Sequence, residues 1–344
     1  MRLAVFLTPR HALRIAPAAE QLGLEYALAP EGFRGDGVSV LGAAAAVTSR
    51  LTLASGLLQA PARGPVLTAL TAATLDDLSG GRFELGLGVS AAEVARGWYG
   101  ADIRRPLAWL REYVEVVRCA LAGAPVRYAG EHWRLPPEDC DGTAAVAQLR
   151  ALEPRPDLPI LLGGVGPRAL ELAGAIADGW IGAFCSPERV SWALEHVRIG
   201  RARAGASLDG FRVLPSIPIG VGPDPEAAAL ALRPYYANFL ALGRGAGAYA
   251  TVATDMGYGA QVQQVHHLVA AGDRAGAAAA VPLDLIWRTA LLGDANTIGA
   301  RMSEYAASGV TTLGLTVLAA DFEDQLEILR TARRALELAQ GVCP

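Results

Sequence analysis

Short apolar runs and longer segments with helical spacing alternate along this chain from its first residues. Residues 3–8 form an apolar run, and 12–22 carry apolar side chains at helical intervals up to Gly23. The pair recurs as a run at 24–29 with an alanine-rich helix at 38–49, then a run at 51–58 with a helix at 65–78. Residues 82–87 alternate as a strand does, and 104–121 form a long helix whose charges (Arg111, Glu112, Glu115, Arg118) share one side. Further strands are expected at 159–162, 179–183, 212–221 and 311–317, with a closing helix at 321–339. Near-continuous apolar runs suit strands buried on both faces, and intervening helices supply the crossovers of a parallel sheet. Eight such units with short connections predict an α/β fold, a right-handed (β/α)8 TIM barrel.

Two stretches break the rhythm. Residues 126–158 carry Pro136-Pro137 and Pro154-x-Pro156, which predicts an irregular excursion. Residues 225–292 are too long for one barrel helix, and are expected to form an inserted helical segment over the carboxyl-terminal mouth. No repeat or linker divides the chain, so residues 1–344 are expected to make a single domain.

Composition narrows the chemistry. The net charge is -4 and charged residues are 19%, so neither nucleic acid nor an anionic membrane is an expected partner. All 30 basic residues are arginine, which removes Schiff-base chemistry, PLP attachment and a Walker lysine together. Cys119, Cys140, Cys185 and Cys343 are scattered without a CxxC pair, as free thiols in a reducing, cytoplasmic compartment would be. No stretch reaches transmembrane length. The five histidines do not gather with carboxylates at metal spacing, and no Ser-His-Asp set is evident, so hydrolase and metalloenzyme readings are poor.

Barrel enzymes place their sites at the carboxyl ends of the strands. That rule selects Glu31, Gln59 and Ser90, the run Gly163-Gly164-Val165-Gly166, and Phe184-Cys185-Ser186. Glycines, small polar groups and apolar walls suit a large planar cofactor that brings its own reactivity. GGVGPRA also opens a helix, where backbone N–H groups and the helix dipole can meet a phosphate. An ordinary strand-to-helix turn would read the same way.

The stretch LDDLSGGRFELGLG at 75–88 resembles the LDxLSGGRxxLGxG signature of the bacterial-luciferase-like oxidoreductases. Residues 159–182 (PILLGGVGPRALELAGAIADGWIG) are similar to that family's second hallmark, and 293–317 to its last helix and strand. The likeness is weakest between 225 and 280. Within the family, EGF-x-x-D at 31–36, SGLLQAPARGP at 55–65 and GWYG-x-x-x-x-RP at 97–106 look most like the branch that uses the deazaflavin coenzyme F420. Members of that branch resemble methylene-tetrahydromethanopterin reductase. LREYVEVVR at 110–118 and AGEHWRL at 129–135 extend the likeness.

The resemblance implies hydride transfer between deazaflavin C5 and a small organic substrate, a homodimer, and a non-prolyl cis bond between Gly56 and Leu57 behind the ring. Without it, that glycine reads as an ordinary β-bulge. It further implies cofactor contacts from Gly56, Leu57, Gln59, Arg63, Gly88 and Ser90, and from Gly163, Gly164, Val165 and Gly166. Arg63, Arg96, Arg104, Arg105 and Arg168 could meet the coenzyme's phosphate and oligoglutamate tail. Three departures lie on the substrate side: Phe33 replaces the family's usual tryptophan, Arg63-Gly64-Pro65 its RHP, and Arg96-Gly97-Trp98-Tyr99-Gly100 its EGWHG. Glu31 and Tyr99 are the candidates for proton relay or substrate anchor. A capping or ribose-binding role for Glu31 and a packing role for Tyr99 remain open. So do two rival functions: an FMN-dependent monooxygenase with dioxygen and a reductase partner, and a non-catalytic flavin-binding relative.

Overall fold

The computed structural model describes residues 1–33, 35–137, 144–149, 153–243 and 247–341. Eight strands make a closed parallel barrel: β1 (Arg2–Phe6), β2 (Tyr26–Ala29), β3 (Thr52–Ser55), β4 (Phe83–Gly88), β5 (Ile160–Gly163), β6 (Gly179–Ala183), β7 (Arg212–Val221) and β8 (Thr312–Val317). β8 pairs with both β7 and β1, setting Arg2 opposite Thr312 and Val5 opposite Leu315. Successive strand residues face opposite ways, and both ways are apolar. Ala4, Tyr26, Leu28, Ala54, Leu161, Ile181 and Leu214 fill the barrel. Their neighbours Leu3, Val5, Ala27, Leu53, Leu85, Ile160 and Leu162 lie under the helices. That double burial is why the strands read as continuous apolar runs. Towards the amino-terminal end the interior turns polar, where buried Glu84 accepts from Arg212 Nε at 2.8 Å and from the Tyr26 hydroxyl at 3.3 Å. Burial raises the pKa of Glu84, with the Arg212 charge working against it.

The barrel helices begin with α1 (Ala12–Gln21), α2 (Gly37–Val47) and α3 (Pro65–Ser79). Asp36 caps α2 by accepting from the backbone N–H of Val38 and Ser39. Pro65 opens α3, and Gly80 ends it in the left-handed region with φ 67°. Next come α4 (Ala92–Tyr99) and α5 (Pro106–Leu121), then α6 (Pro167–Ile176) and α7 (Pro187–Arg203). The helix expected over 104–121 thus starts at Pro106. α4 was not legible, because two turns are too short to establish a period.

Five helices occupy the stretch expected to be inserted: α8 (Pro225–Leu240), α9 (Ala248–Ala253), α10 (Gly259–Ala270), α11 (Arg274–Ala280) and α12 (Leu283–Thr289). They build a hydrophobic cluster of their own, to which Phe184, directly after β6, contributes its ring. Val165, beyond β5, and Leu318, beyond β8, pack against the same cluster, which places it at the carboxyl-terminal end of the barrel. Leu291–Gly293 then pairs alongside the end of β7 as a short parallel strand. α13 (Ala295–Ala307) and α14 (Phe322–Ala339) complete the ring. The excursion after α5 contains a small hairpin pairing Tyr128–Ala129 with Arg134–Leu135. Among the described residues, Cys119 is exposed and Cys185 buried, both free thiols; Cys140 and Cys343 lie outside them. No described helix is long and apolar enough to cross a membrane, and no described group of side chains could hold a metal ion.

Candidate active site

The mouth is shaped first by an interruption of β3. Leu53 and Ala54 pair with Phe83 and Glu84, but pairing resumes as Leu58 with Leu87 and Gln59 with Gly88, one residue out of step. The extra residue makes a β-bulge at Ser55-Gly56-Leu57, within which the Gly56–Leu57 bond is cis. Thus the single strand expected over 51–58 is two short pieces. The side chain of buried Ser55 fills the gap in the ladder: its hydroxyl donates to Gly86 O at 2.8 Å and accepts from Gly86 N at 2.7 Å. On the other side β2 holds the bulge, with Gly56 N donating to Ala29 O and Glu31 N to Leu57 O.

Leu57 is thereby turned into the barrel, beside Phe6. A Cβ on Gly88 would stand 3.0 Å from its Cδ1, and a Cβ on Gly163 would collide with the same methyl. These glycines therefore leave room for the Leu57 side chain, which floors the mouth against the barrel interior.

Above this floor the loops after β2 and β3 are clasped together. Glu31 accepts from Gln59 N at 2.7 Å with one oxygen and ion-pairs with Arg63 through the other. Gln59 Nε2 returns a bond to Glu31 O at 3.0 Å. The Tyr113 hydroxyl, from α5, donates to Arg63 O at 3.2 Å and so fixes the arginine's backbone. Burial pushes the pKa of Glu31 up, while the Gln59 amide and the Arg63 charge hold it back. Tyr99, last residue of α4, also has a raised pKa, from burial and then from the Glu31 charge. Gln59 Oε1 and Arg63 Nε are buried without hydrogen-bond partners among the described residues, an acceptor and a donor beside the mouth. Arg63 also borders a cleft of about 440 Å³ on its outer side, walled by Asp102, Ile103, Trp109 and Trp133.

Two further features were not legible from residue patterns. Phe33 and Trp98 are 64% and 51% exposed, yet their rings meet edge-to-face at 4.7 Å, joining the β2 loop to α4. Phe184 has a left-handed φ of 53° and stacks on Tyr236 at 4.8 Å, fastening the inserted helices to the rim. Ser90, just past β4, shares the left-handed conformation with φ 62°. Nothing in a sequence announces that backbone in a serine or phenylalanine.

At β5 the turn Gly163-Gly164-Val165-Gly166 leads into α6, whose first turn has Gly166 as its cap and no side-chain cap bond. The loop's carbonyls are tied down instead. Trp180 Nε1 donates to Gly164 O at 2.8 Å, and Arg189 to Val165 O at 2.9 Å. An uncapped helix start with its loop fastened from behind can serve an anion. A Cβ on Gly166 meets nothing within 4 Å, whereas one on Gly164 would lie 2.8 Å from the Ala169 methyl. The open side of this turn is therefore at Gly166.

The model of the luciferase-like monooxygenase family matches residues 4–312. The chain belongs to that family. It is 35% identical over 324 residues to a provisionally named coenzyme F420-dependent oxidoreductase of Mycobacterium tuberculosis, covering 91% of this chain and 92% of that protein. It is 29% identical over 317 residues to the 5,10-methylenetetrahydromethanopterin reductase of Methanopyrus kandleri, covering 88% and 87%. Among solved structures, the coenzyme F420-dependent tetrahydromethanopterin reductase from Methanopyrus kandleri superposes with a TM-score of 0.82 at 25% identity, over 96% of this chain and 97% of that one. This member of the family is accordingly an enzyme of the oxidoreductase class, with a (β/α)8 barrel.

Proposed function

We propose that the mouth binds coenzyme F420 and that the enzyme transfers a hydride between its deazaflavin ring and a small organic molecule. The observation that carries the reading is the bulge after β3, which sets Leu57 against Gly88 and Gly163 as an apolar floor at the open end of the barrel. The residues present fit such a group. The floor suits a flat ring, the uncapped start of α6 suits a phosphate, and Gln59 Oε1 is a buried acceptor still lacking a donor. When bound, the deazaflavin supplies two-electron chemistry at one ring carbon. The chain's own residues orient and handle the proton. Both carboxylate oxygens of Glu31 are engaged, by Gln59 N and Arg63, so Glu31 fits a positioning role and less a shuttle. Burial and the Glu31 charge keep the Tyr99 hydroxyl protonated, which suits it to donate a hydrogen bond or proton to the substrate's oxygen. Phe33 and Trp98 stand where an apolar substrate would enter. A twofold dimer through the exposed side of α3 belongs to the same reading.

The test is a parallel titration with reduced F420 and reduced FMN, followed by fluorescence and absorbance. Tighter binding of F420, by about tenfold or more (roughly 1.4 kcal/mol), is expected. Equal or tighter binding of FMN would overturn the proposal in favour of the flavin-dependent monooxygenases of the family.

A further inference from the structure

The cleft of about 440 Å³ beside Arg63 has two tryptophans in its wall, Trp109 from α5 and Trp133 from the hairpin that follows α5. Their rings stand 5.5 Å apart at 50°, and both pack on Tyr113, at 5.1 and 5.8 Å. Glu112 fixes the tip of the hairpin by accepting from the backbone N–H of Glu131 at 3.0 Å, His132 at 2.8 Å and Trp133 at 3.1 Å. Arg105 ties the same tip to the start of α5 by an ion pair with Glu131. The aromatic wall is therefore preformed, and Ala101 and Ile103 add to its apolar side. A concavity of this volume, mostly apolar with a few polar groups, is what small-molecule sites look like.

Those polar groups are specific. Arg63 gives one guanidinium nitrogen to Glu31, and Asp102 is held by Arg96 at 2.8 Å. Arg63 Nε and Trp133 Nε1 are buried donors with no hydrogen-bond partner among the described residues. Leaving a buried donor without an acceptor is costly, and a molecule that brings acceptor oxygens to this wall removes that cost. Both atoms are covered while the cleft is open, so their side chains must turn slightly outward, a change commonly made on binding.

We propose that this cleft binds a flat, uncharged aromatic molecule carrying carbonyl oxygen. Its ring lies against Trp109 and Trp133, and its oxygen accepts from Arg63 Nε and Trp133 Nε1. The charge of Arg63 is already balanced by Glu31, and Asp102 adds a second carboxylate to the lining. An acid of the same shape would stand near two like charges and is disfavoured. The cleft shares none of its lining with the Leu57 floor, so the proposal holds whichever coenzyme the mouth takes.

The experiment labels the protein with 5-fluorotryptophan and follows its six tryptophans by fluorine NMR, with Trp109 and Trp133 assigned from their Phe variants. Three bicyclic probes are compared: chromone, uncharged with a carbonyl; naphthalene, without an acceptor; and 2-naphthoate, with a carboxylate. Chromone should shift the Trp109 and Trp133 resonances more than the others, and saturate with a Kd below about 1 mM. Naphthalene and 2-naphthoate should each bind at least about fivefold more weakly. Trp133→Phe keeps an aromatic wall but removes one donor, so it should weaken chromone about three- to tenfold. Ala101→Phe fills the cleft from a half-buried position and should abolish the chromone shifts. Unmoved Trp109 and Trp133 resonances with millimolar chromone, or shifts that survive in Ala101→Phe, overturn the site. Equal or tighter binding of either other probe, or unchanged chromone affinity in Trp133→Phe, overturns the ligand class.

Discussion

In the proposed mechanism Tyr99 offers a hydroxyl and Glu31 a carboxylate whose two oxygens are already engaged, by Gln59 N and Arg63. Tyr99→Phe removes only the hydroxyl from a half-buried ring, so kcat should drop about 100-fold with the melting temperature nearly unchanged. A kcat within a factor of two of wild type would return Tyr99 to a packing role. Glu31→Gln acts differently, because it leaves the mostly buried Arg63 guanidinium without its charge partner. A loss of roughly 1–3 kcal/mol in unfolding free energy should accompany its lower activity. At this scale the sequence was legible where chemistry follows position. Glu31 and Gln59 were expected after the second and third strands, and they lie there side by side. The clasp between them was not legible, since it depends on the backbone N–H of Gln59, which no residue type encodes.

Elements carry their own tests. The start of α6 is open at Gly166, with φ -97° and ψ 160°, a backbone any residue adopts. Gly166→Val should fold normally and weaken a phosphate-bearing deazaflavin about tenfold, while leaving its phosphate-free analogue unaffected. Gly164→Val, by contrast, would press on Ala169 within the helix and should cost about 1–3 kcal/mol of stability. Equal losses for both forms at Gly166 would remove the anion site. A second test joins α1 to β3. Glu20 accepts from the backbone N–H of Ser49, Arg50 and Leu51, just ahead of the strand. Slight burial works against ionisation there, but those bonds outweigh it and lower the carboxyl from 4.5 to about 2. A depressed pKa means stability present above 4.5 and lost as the pH falls towards 2. Denaturant unfolding at pH 5 and pH 3 should therefore show a smaller drop for Glu20→Gln than for wild type; equal drops would refute the clamp. The eight strands were readable because apolar runs report burial on both faces. The bulge that splits the third was hinted at only by Gly56, since register belongs to two strands and not to one.

At the scale of the whole molecule, the apolar face of α5 is taken up inside, where Leu110, Tyr113, Val114 and Val117 are buried. The surface of the proposed dimer is therefore sought on α3 and not on α5. There Leu67, Leu70 and Leu78 are exposed on one side, with Val47 of α2 also exposed. An apolar row of this kind fits the twofold dimer proposed above, closed twofold pairs being the commonest oligomers. Light scattering should give twice the 35.8 kDa of the chain, and Leu67→Glu with Leu70→Glu should give the monomer. A wild-type monomer at micromolar concentration would leave the row without that role. The Leu57 floor has a consequence of another kind. A flat molecule lying on it has one side against the methyl groups and the other towards the opening, and it cannot turn over without leaving. Deuterium arriving from the open side must also depart from there. Over repeated cycles an isotope introduced at the reacting carbon should be passed on whole, in a single handedness, and never scrambled.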